Sequence, residues 1–145
     1  TLCCRQPEWI QVRDKFGELR NVKIVHHSGR QLDQHYRSAD VFLMWWNMNE
    51  YLRFAMPVKL PEALGWGLPI ITNSRCEMGD LVDRENLGWT PDTEQDLVAL
   101  LTRLRDHRDE VLVRSQEVIK RREAHTWQAR AKTVLSTLEQ YRRLP

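Results

Sequence analysis

Lys59 and Glu62 follow Pro57 and lie on either side of Pro61, within the run FAMPVKLPEALGWGLPIITNS. Proline has no amide hydrogen, so a helix beginning between the two prolines lacks no donor it needs. The first amides of such a helix, those of Val58, Lys59 and Leu60, have no intrahelical partner. With the positive end of the helix dipole they suit an anion such as a phosphate. Lys59 adds a full positive charge beside them. Glu62 brings two acceptor oxygens, which can hold a vicinal diol such as the hydroxyls of a ribose. The same spacing also lets Lys59 and Glu62 pair with each other on a helix surface. An anion-ready helix start beside a diol acceptor predicts a nucleotide site.

Such a site needs elements to position it. Apolar runs alternate with amphipathic segments, which predicts βαβ units on a parallel sheet. Strands are expected at 2–4, 22–27, 40–46 and 69–72. Over 7–19, Trp9, Ile10, Val12, Phe16 and Leu19 fall on one helical face, and 31–38 reads as a short helix. Beyond Gly88 the pattern is helical alone. Thr93 is placed to cap a helix with the stripe Leu97, Leu100, Leu101 and Leu104. Further helices are expected over 111–122 and 127–141, the last with a face of Trp127, Ala131, Val134, Leu135 and Leu138. The predicted fold class is α/β: a Rossmann-like parallel sheet flanked by helices, with a helical carboxyl-terminal segment over about 93–142. In such folds ligands bind beyond the carboxyl ends of strands, so the loops after His27, Trp46 and Thr72 are expected to line one cleft.

Composition narrows the class. The 145 residues are 41% hydrophobic, enough for one core, and one domain spanning 1–145 is the simplest expectation. Thr1 stands where an initiator Met would, and a strand is already under way, so the chain is expected to be part of a larger enzyme. No signal-peptide pattern is present, and no apolar run approaches the ~18 residues of a membrane span. Three cysteines, Cys3, Cys4 and Cys76, form neither an even framework nor a C-x-x-C pair, which favours a reducing cytoplasm. Cys76 has no recognisable partner for a nucleophilic role and reads as structural. His26 and His27 are adjacent on a strand and point to opposite faces, so no metal site is expected there. Trp45 and Trp46 alternate likewise, one toward the core and one outward. The net charge of +2 gives little support for nucleic-acid binding. It is unevenly spread, with 11 Lys and Arg against 6 acids from Arg103 onward. That tail suits an anionic membrane or an acidic partner, or is an ordinary solvated surface.

Met56-Pro57-Val58-Lys59-Leu60, Glu62-Ala63-Leu64, Gly67 and Pro69-Ile70-Ile71 resemble the donor-binding motif in the carboxyl-terminal half of group 1 (family 4) glycosyltransferases. Ser38-Ala39-Asp40-Val41-Phe42-Leu43 is similar to the strand before that motif. Asp80-Leu81-Val82 and Asn86-Leu87-Gly88-Trp89 are similar to the segment after it, and His125-Thr126-Trp127 to the opening of the closing helix. The resemblance implies the donor domain of a GT-B fold. It further implies a retaining, metal-independent transfer of a sugar from a nucleotide-diphosphate sugar to an acceptor hydroxyl, with no cofactor. By resemblance Glu62 holds the ribose, while Pro57, Val58, Lys59 and Leu60 lie at the diphosphate. Ser28, Gly29 and Arg30 line the base, and Gly79, in a loop over 73–80, approaches the donor sugar.

Two departures qualify this. Many members carry a second Glu where this chain has Phe54, and nothing in the sequence shows that nearby Glu50 replaces it. The family's diphosphate-binding Arg and Lys would precede Thr1. An acceptor-binding amino-terminal domain is therefore the expected partner, the catalytic groups are unassigned, and the isolated chain is expected to be inactive. The expected location is the cytoplasm, with the basic tail suited to the inner face of the membrane. Two alternatives remain: a noncatalytic α/β interaction domain, and a nucleotide-sugar epimerase of the same architecture.

Overall fold

Ile70, Ile71 and Thr72 form a strand with no exposed side chain, which is why this short apolar run tolerates no polar alternation. The computed structural model describes residues 1–16 and 19–142. It divides into two compact units, Thr1–Ala39 and Asp40–Pro145.

In the second unit the buried strand, β4 (Ile70–Thr72), lies between β3 (Phe42–Met44) and β5 (Gly88–Trp89). Both pairings are parallel, with Phe42 opposite Ile70 and Ile70 opposite Gly88. Helices α3 (Glu50–Phe54) and α4 (Lys59–Gly65) connect β3 to β4, and α5 (Glu77–Arg84) connects β4 to β5. The α/β class, the parallel pairing and the helical carboxyl end are as the sequence predicts. The expected strand over 40–46 is shorter: Asp40 instead pairs with Arg108, and Trp45 and Trp46 are both half-buried rather than divided between core and surface.

β5 corrects the expectation of helix alone beyond Gly88. Gly88 lies so close to its neighbour that a Cβ there would sit 1.7 Å from the Ile70 carbonyl oxygen. The absent side chain lets this edge strand pair with β4, and two residues are too few to show a strand period.

Beyond the sheet run α6 (Glu94–Asp106), α7 (Arg108–Arg121) and α8 (Trp127–Arg142). Thr93 caps α6 as expected. Its hydroxyl accepts from the Asp96 amide at 3.1 Å, and the Asp96 carboxylate accepts from the Thr93 amide at 3.1 Å. Leu100 and Leu104 carry the α6 stripe into a core with Ile71 and Val111, and Val41, Trp89 and Leu97 pack around it. Leu101, expected on that stripe, is 38% exposed. The closing helix forms where predicted, but its apolar face is uncovered: Trp127, Val134, Leu135 and Leu138 are all exposed. Among the described residues no helix is long and apolar enough to cross a membrane.

The first unit pairs β1 (Leu2–Cys3) with β2 (Ile24–Val25) in parallel, so both strands are shorter than predicted. The helix expected over 7–19 stops early, with α1 at Gln6–Val12 followed by a 3-10 turn at Arg13–Lys15. Gly17 and Glu18 lie outside the described residues. Ile10 and Phe16 are exposed, so the apolar face of that segment has no core to extend along. The short helix expected over 31–38 is a 3-10 turn, Gly29–Leu32, followed by α2 (Asp33–Ser38).

Two substitutions on the central sheet are expected to act in opposite directions. Gly88→Ala forces a methyl group into the Ile70 backbone and should cost about 3 kcal/mol or more, read as a lower urea midpoint. Among the described residues the buried Thr72 hydroxyl has no hydrogen-bond partner. Thr72→Val, of nearly the same shape, should therefore raise stability by about 1 kcal/mol in the same measurement, and a loss would show that the hydroxyl is satisfied.

Candidate functional site

Helix α4 begins at Lys59, between the two prolines, as their spacing predicts. One side is fixed in the core: Leu60, Ala63 and Leu64 are each at most 1% exposed. Its carboxyl end is held by later helices. Ser115 of α7 donates to the Gly67 carbonyl at 2.7 Å, and Arg122 donates to the Gly65 carbonyl at 3.4 Å, a cation placed where the helix dipole is negative. Gly67 turns the chain at φ +76°, where a Cβ would meet Ile119 at 2.8 Å. Buried rows and capped carbonyls thus fix the helix that carries the expected site.

On its half-exposed side Lys59 Nζ donates to Glu62 Oε2 at 2.8 Å. The structure brings these two expected residues together, in the surface pairing that their spacing also allowed. Leu60, expected at the diphosphate, already has a backbone partner. Its amide donates to the Pro57 carbonyl at 3.0 Å and its side chain is core, so the turn that starts the helix uses this donor. Val58 is exposed and Pro57 half-buried at the same turn.

The carboxyl ends of β3 and β4 are joined by a residue that the sequence reading passed over. Asn73, 7% exposed, accepts from the Trp46 amide at 3.0 Å and donates to the Trp46 carbonyl at 3.1 Å. Its side-chain amide thereby continues the ladder beyond the last paired residues. Its own carbonyl accepts from the Cys76 thiol at 3.3 Å. Cys76 caps α5 by accepting from the Gly79 amide at 3.4 Å, which gives the buried thiol a structural role. Gly79 is therefore not in a loop: it lies buried in the first turn of α5, where a Cβ would meet the Asn73 carbonyl at 2.5 Å. That close approach is to Asn73 itself. An Asn directly after an apolar run is the signal in the sequence that could have found the clamp.

Ser28, Gly29 and Arg30 belong to the first unit, all exposed, at the start of the 3-10 turn after β2. Gly29 takes φ +54°, and the Ser28 carbonyl accepts from the Gln31 amide at 3.2 Å. The loop is closed by a bond unforeseen in the sequence: His27 Nδ1 and His35 Nε2 lie 2.7 Å apart, with ring centroids 4.9 Å apart. The rings meet almost head-on, in a contact that needs one of the two nitrogens to carry a proton and the other to accept it. The Gln34 amide nitrogen stands 3.4 Å from His27 Nδ1. His26 points elsewhere, its Nδ1 2.9 Å from the Cys4 carbonyl oxygen.

An open cavity of about 550 Å³ lies elsewhere in the second unit, lined by Asn86, Trp89, Thr90, Arg103 and Arg114 among others. The Arg114 guanidinium stacks 5.2 Å over the Trp89 ring, and burial pulls its pKa below the usual range. None of the expected site residues lines this cavity.

His35 should make the first unit acid-sensitive. Burial, then the charges of His27, Lys23 and the Thr1 amino group, hold His35 below its ordinary value of 6.5. The folded unit resists the proton that the unfolded chain accepts, so this contribution to stability is fully present above pH 6.5. It declines as the pH falls from there through the lowered folded value. Unfolding followed through the amide signals of residues 24–38 should show this loss on acidification. His35→Gln should flatten it, and an unchanged profile would contradict the account.

A family model described as glycosyl transferase-like matches residues 7–136. No curated protein and no solved structure matches the chain. The match takes in the Lys59–Glu62 helix, the Asn73 clamp and the loop of Ser28 to Arg30, and by it the chain belongs to the glycosyl transferase-like family.

Proposed function

We propose that this chain is the donor-binding half of a retaining, metal-independent glycosyltransferase of the two-Rossmann, GT-B type. It moves a sugar from a nucleotide-diphosphate sugar to an acceptor hydroxyl. The observation that carries the reading is the Lys59–Glu62 pair on the half-exposed first turn of a helix whose opposite side is fully buried. A rigid support with a solvated, oppositely charged pair is suited to exchanging partners. Breaking an exposed ion pair costs about 0.2–1 kcal/mol, whereas each hydrogen bond to a charged group contributes about 1.5–3 kcal/mol. Glu62 can therefore release Lys59 and accept from the two ribose hydroxyls, while Lys59 turns to the diphosphate.

Transfer leaves charge developing on that diphosphate. The amides of Val58 and Lys59, the Lys59 ammonium and the start of the helix dipole meet it already oriented, which lowers the barrier without reorganisation. Leu60 contributes packing only, and Gly79 is given no role at the sugar. The acceptor and the remaining catalytic groups come from an amino-terminal half, so the isolated chain is inactive. The enzyme works in the cytoplasm, where the basic residues from Arg103 onward suit the anionic inner face of the membrane.

Calorimetric titration of UDP, GDP and ADP, with and without their sugars, into the full-length enzyme tests this. One nucleotide should bind saturably, and Glu62→Ala should weaken it by about 1–3 kcal/mol. Binding indifferent to Glu62 would sink the assignment.

A further inference from the structure

His27 meets not its neighbour His26 but His35, eight residues on, in the first turn of α2. The Gln34 amide nitrogen stands 3.4 Å from His27 Nδ1 and 3.5 Å from His35 Nε2, while the two ring nitrogens are 2.7 Å apart. Three polar atoms thus converge from the loop after β2 and the start of α2. The ring-to-ring contact already uses the single lone pair of the accepting nitrogen, so the Gln34 N–H groups find no acceptor there. A half-turn of the amide puts its carbonyl oxygen where the nitrogen stands, and all three atoms can then act as electron-pair donors. The point equidistant from the three lies roughly 1.9 Å from each, just inside the ~2.0–2.1 Å of a nitrogen–metal bond. Among the described residues no three His, Cys, Asp or Glu side chains are placed to hold a metal ion, so the third donor here is the amide.

We propose that His27, His35 and Gln34 hold a divalent transition-metal ion with right-angle coordination, Ni²⁺ or Cu²⁺, as a structural clip. Two nitrogens 2.7 Å apart on bonds of that length subtend roughly 80–85° at the ion. Neighbouring ligands of a square-planar or octahedral ion stand at about 90°, and imidazole nitrogen with amide oxygen is a donor set such ions accept. Tetrahedral zinc fits less well, since it needs the nitrogens roughly 3.3–3.4 Å apart. Each ring has only to turn modestly from its partner toward the ion, and the exposed residues Ser28, Gly29 and Arg30 between them leave room for it. The first unit also lacks other means of support. Val25 is its one buried hydrophobic side chain among the described residues, and Cys3 and Cys4 are free thiols. Units of about 40 residues or fewer are commonly held by disulfides, metals or association, because their cores are too small. An ion bound on both sides of the 3-10 turn Gly29–Leu32 ties α2 to the end of β2. The clip does not depend on the donor reading, and no step of the proposed transfer uses the ion.

The test is calorimetric titration of Ni²⁺, and separately of Zn²⁺, into the tag-free full-length enzyme kept reduced by a phosphine. Ni²⁺ should bind more tightly than Zn²⁺, and the ring C–H signals of His27 and His35 should be the first to broaden in NMR spectra. His35→Gln should weaken Ni²⁺ at least tenfold. Lys23 and the Thr1 amino group place positive charge near His35, so Gln34→Glu, which supplies a carboxylate, should tighten Ni²⁺ at least tenfold. Gln34 is exposed, so this variant keeps its fold and decides the matter even where circular dichroism shows that His35→Gln does not. His26→Gln should leave the affinity unchanged, because that ring bonds the Cys4 carbonyl instead. Four results would each overturn the site: no Ni²⁺ binding, an affinity indifferent to Gln34→Glu, binding lost in His26→Gln alone, or Zn²⁺ held more tightly than Ni²⁺.

Discussion

Burial of β4 on both faces is the constraint on which the second unit depends. A strand of Ile70, Ile71 and Thr72 with no exposed side chain requires a helix layer on each side and a parallel neighbour at each edge. Gly88 is the consequence at one edge, since only a residue without a Cβ can lie against the Ile70 backbone. Asn73 is the consequence at the strand's end. Where the ladder stops, a side-chain amide takes over both bonds to Trp46, and buried polar groups of this kind are stable only when satisfied. The same residue receives the Cys76 thiol and determines the need for glycine at position 79. One buried asparagine therefore sets the exits of two strands and the start of α5.

The proposed chemistry uses a contrast in rigidity and solvation along one short helix. Leu60, Ala63 and Leu64 fix α4 in the core, and Ser115 and Arg122 close its far end. Lys59 and Glu62 stay at the half-exposed near end, where their mutual attraction is weak enough to be replaced by a ligand. A fully buried pair would be costly to open, and a fully exposed helix would not hold its amides in place. Glycosyl transfer needs both properties, because orientation must be settled before charge develops.

What could be read from the sequence was whatever a local rule decides. Two prolines placed the start of α4, an unbroken apolar run gave β4, and Thr93 placed the start of α6. These need no knowledge of distant residues. β5 was hidden because its identity depends on a glycine meeting a strand elsewhere in the chain. The Asn73 clamp, the His27–His35 bond and the Leu60 amide's use by Pro57 were hidden because hydrogen-bond partners are settled by tertiary geometry. Periodicity also overstated burial. The faces of α1 and α8 have the right spacing, but spacing reports which residues share a side and not what covers it. For the site, residue types and order were legible at Lys59 and Glu62, whereas the bond from the Leu60 amide to Pro57 and the packing of Gly79 against Asn73 required coordinates.

The most direct measurement is amide chemical-shift mapping of the full-length enzyme with a nucleoside diphosphate in excess. The account predicts the largest shifts at Val58, Lys59 and Glu62. Shifts centred instead on Trp89 and Arg114, in the cavity beside β5, or no shifts at the start of α4, would contradict it.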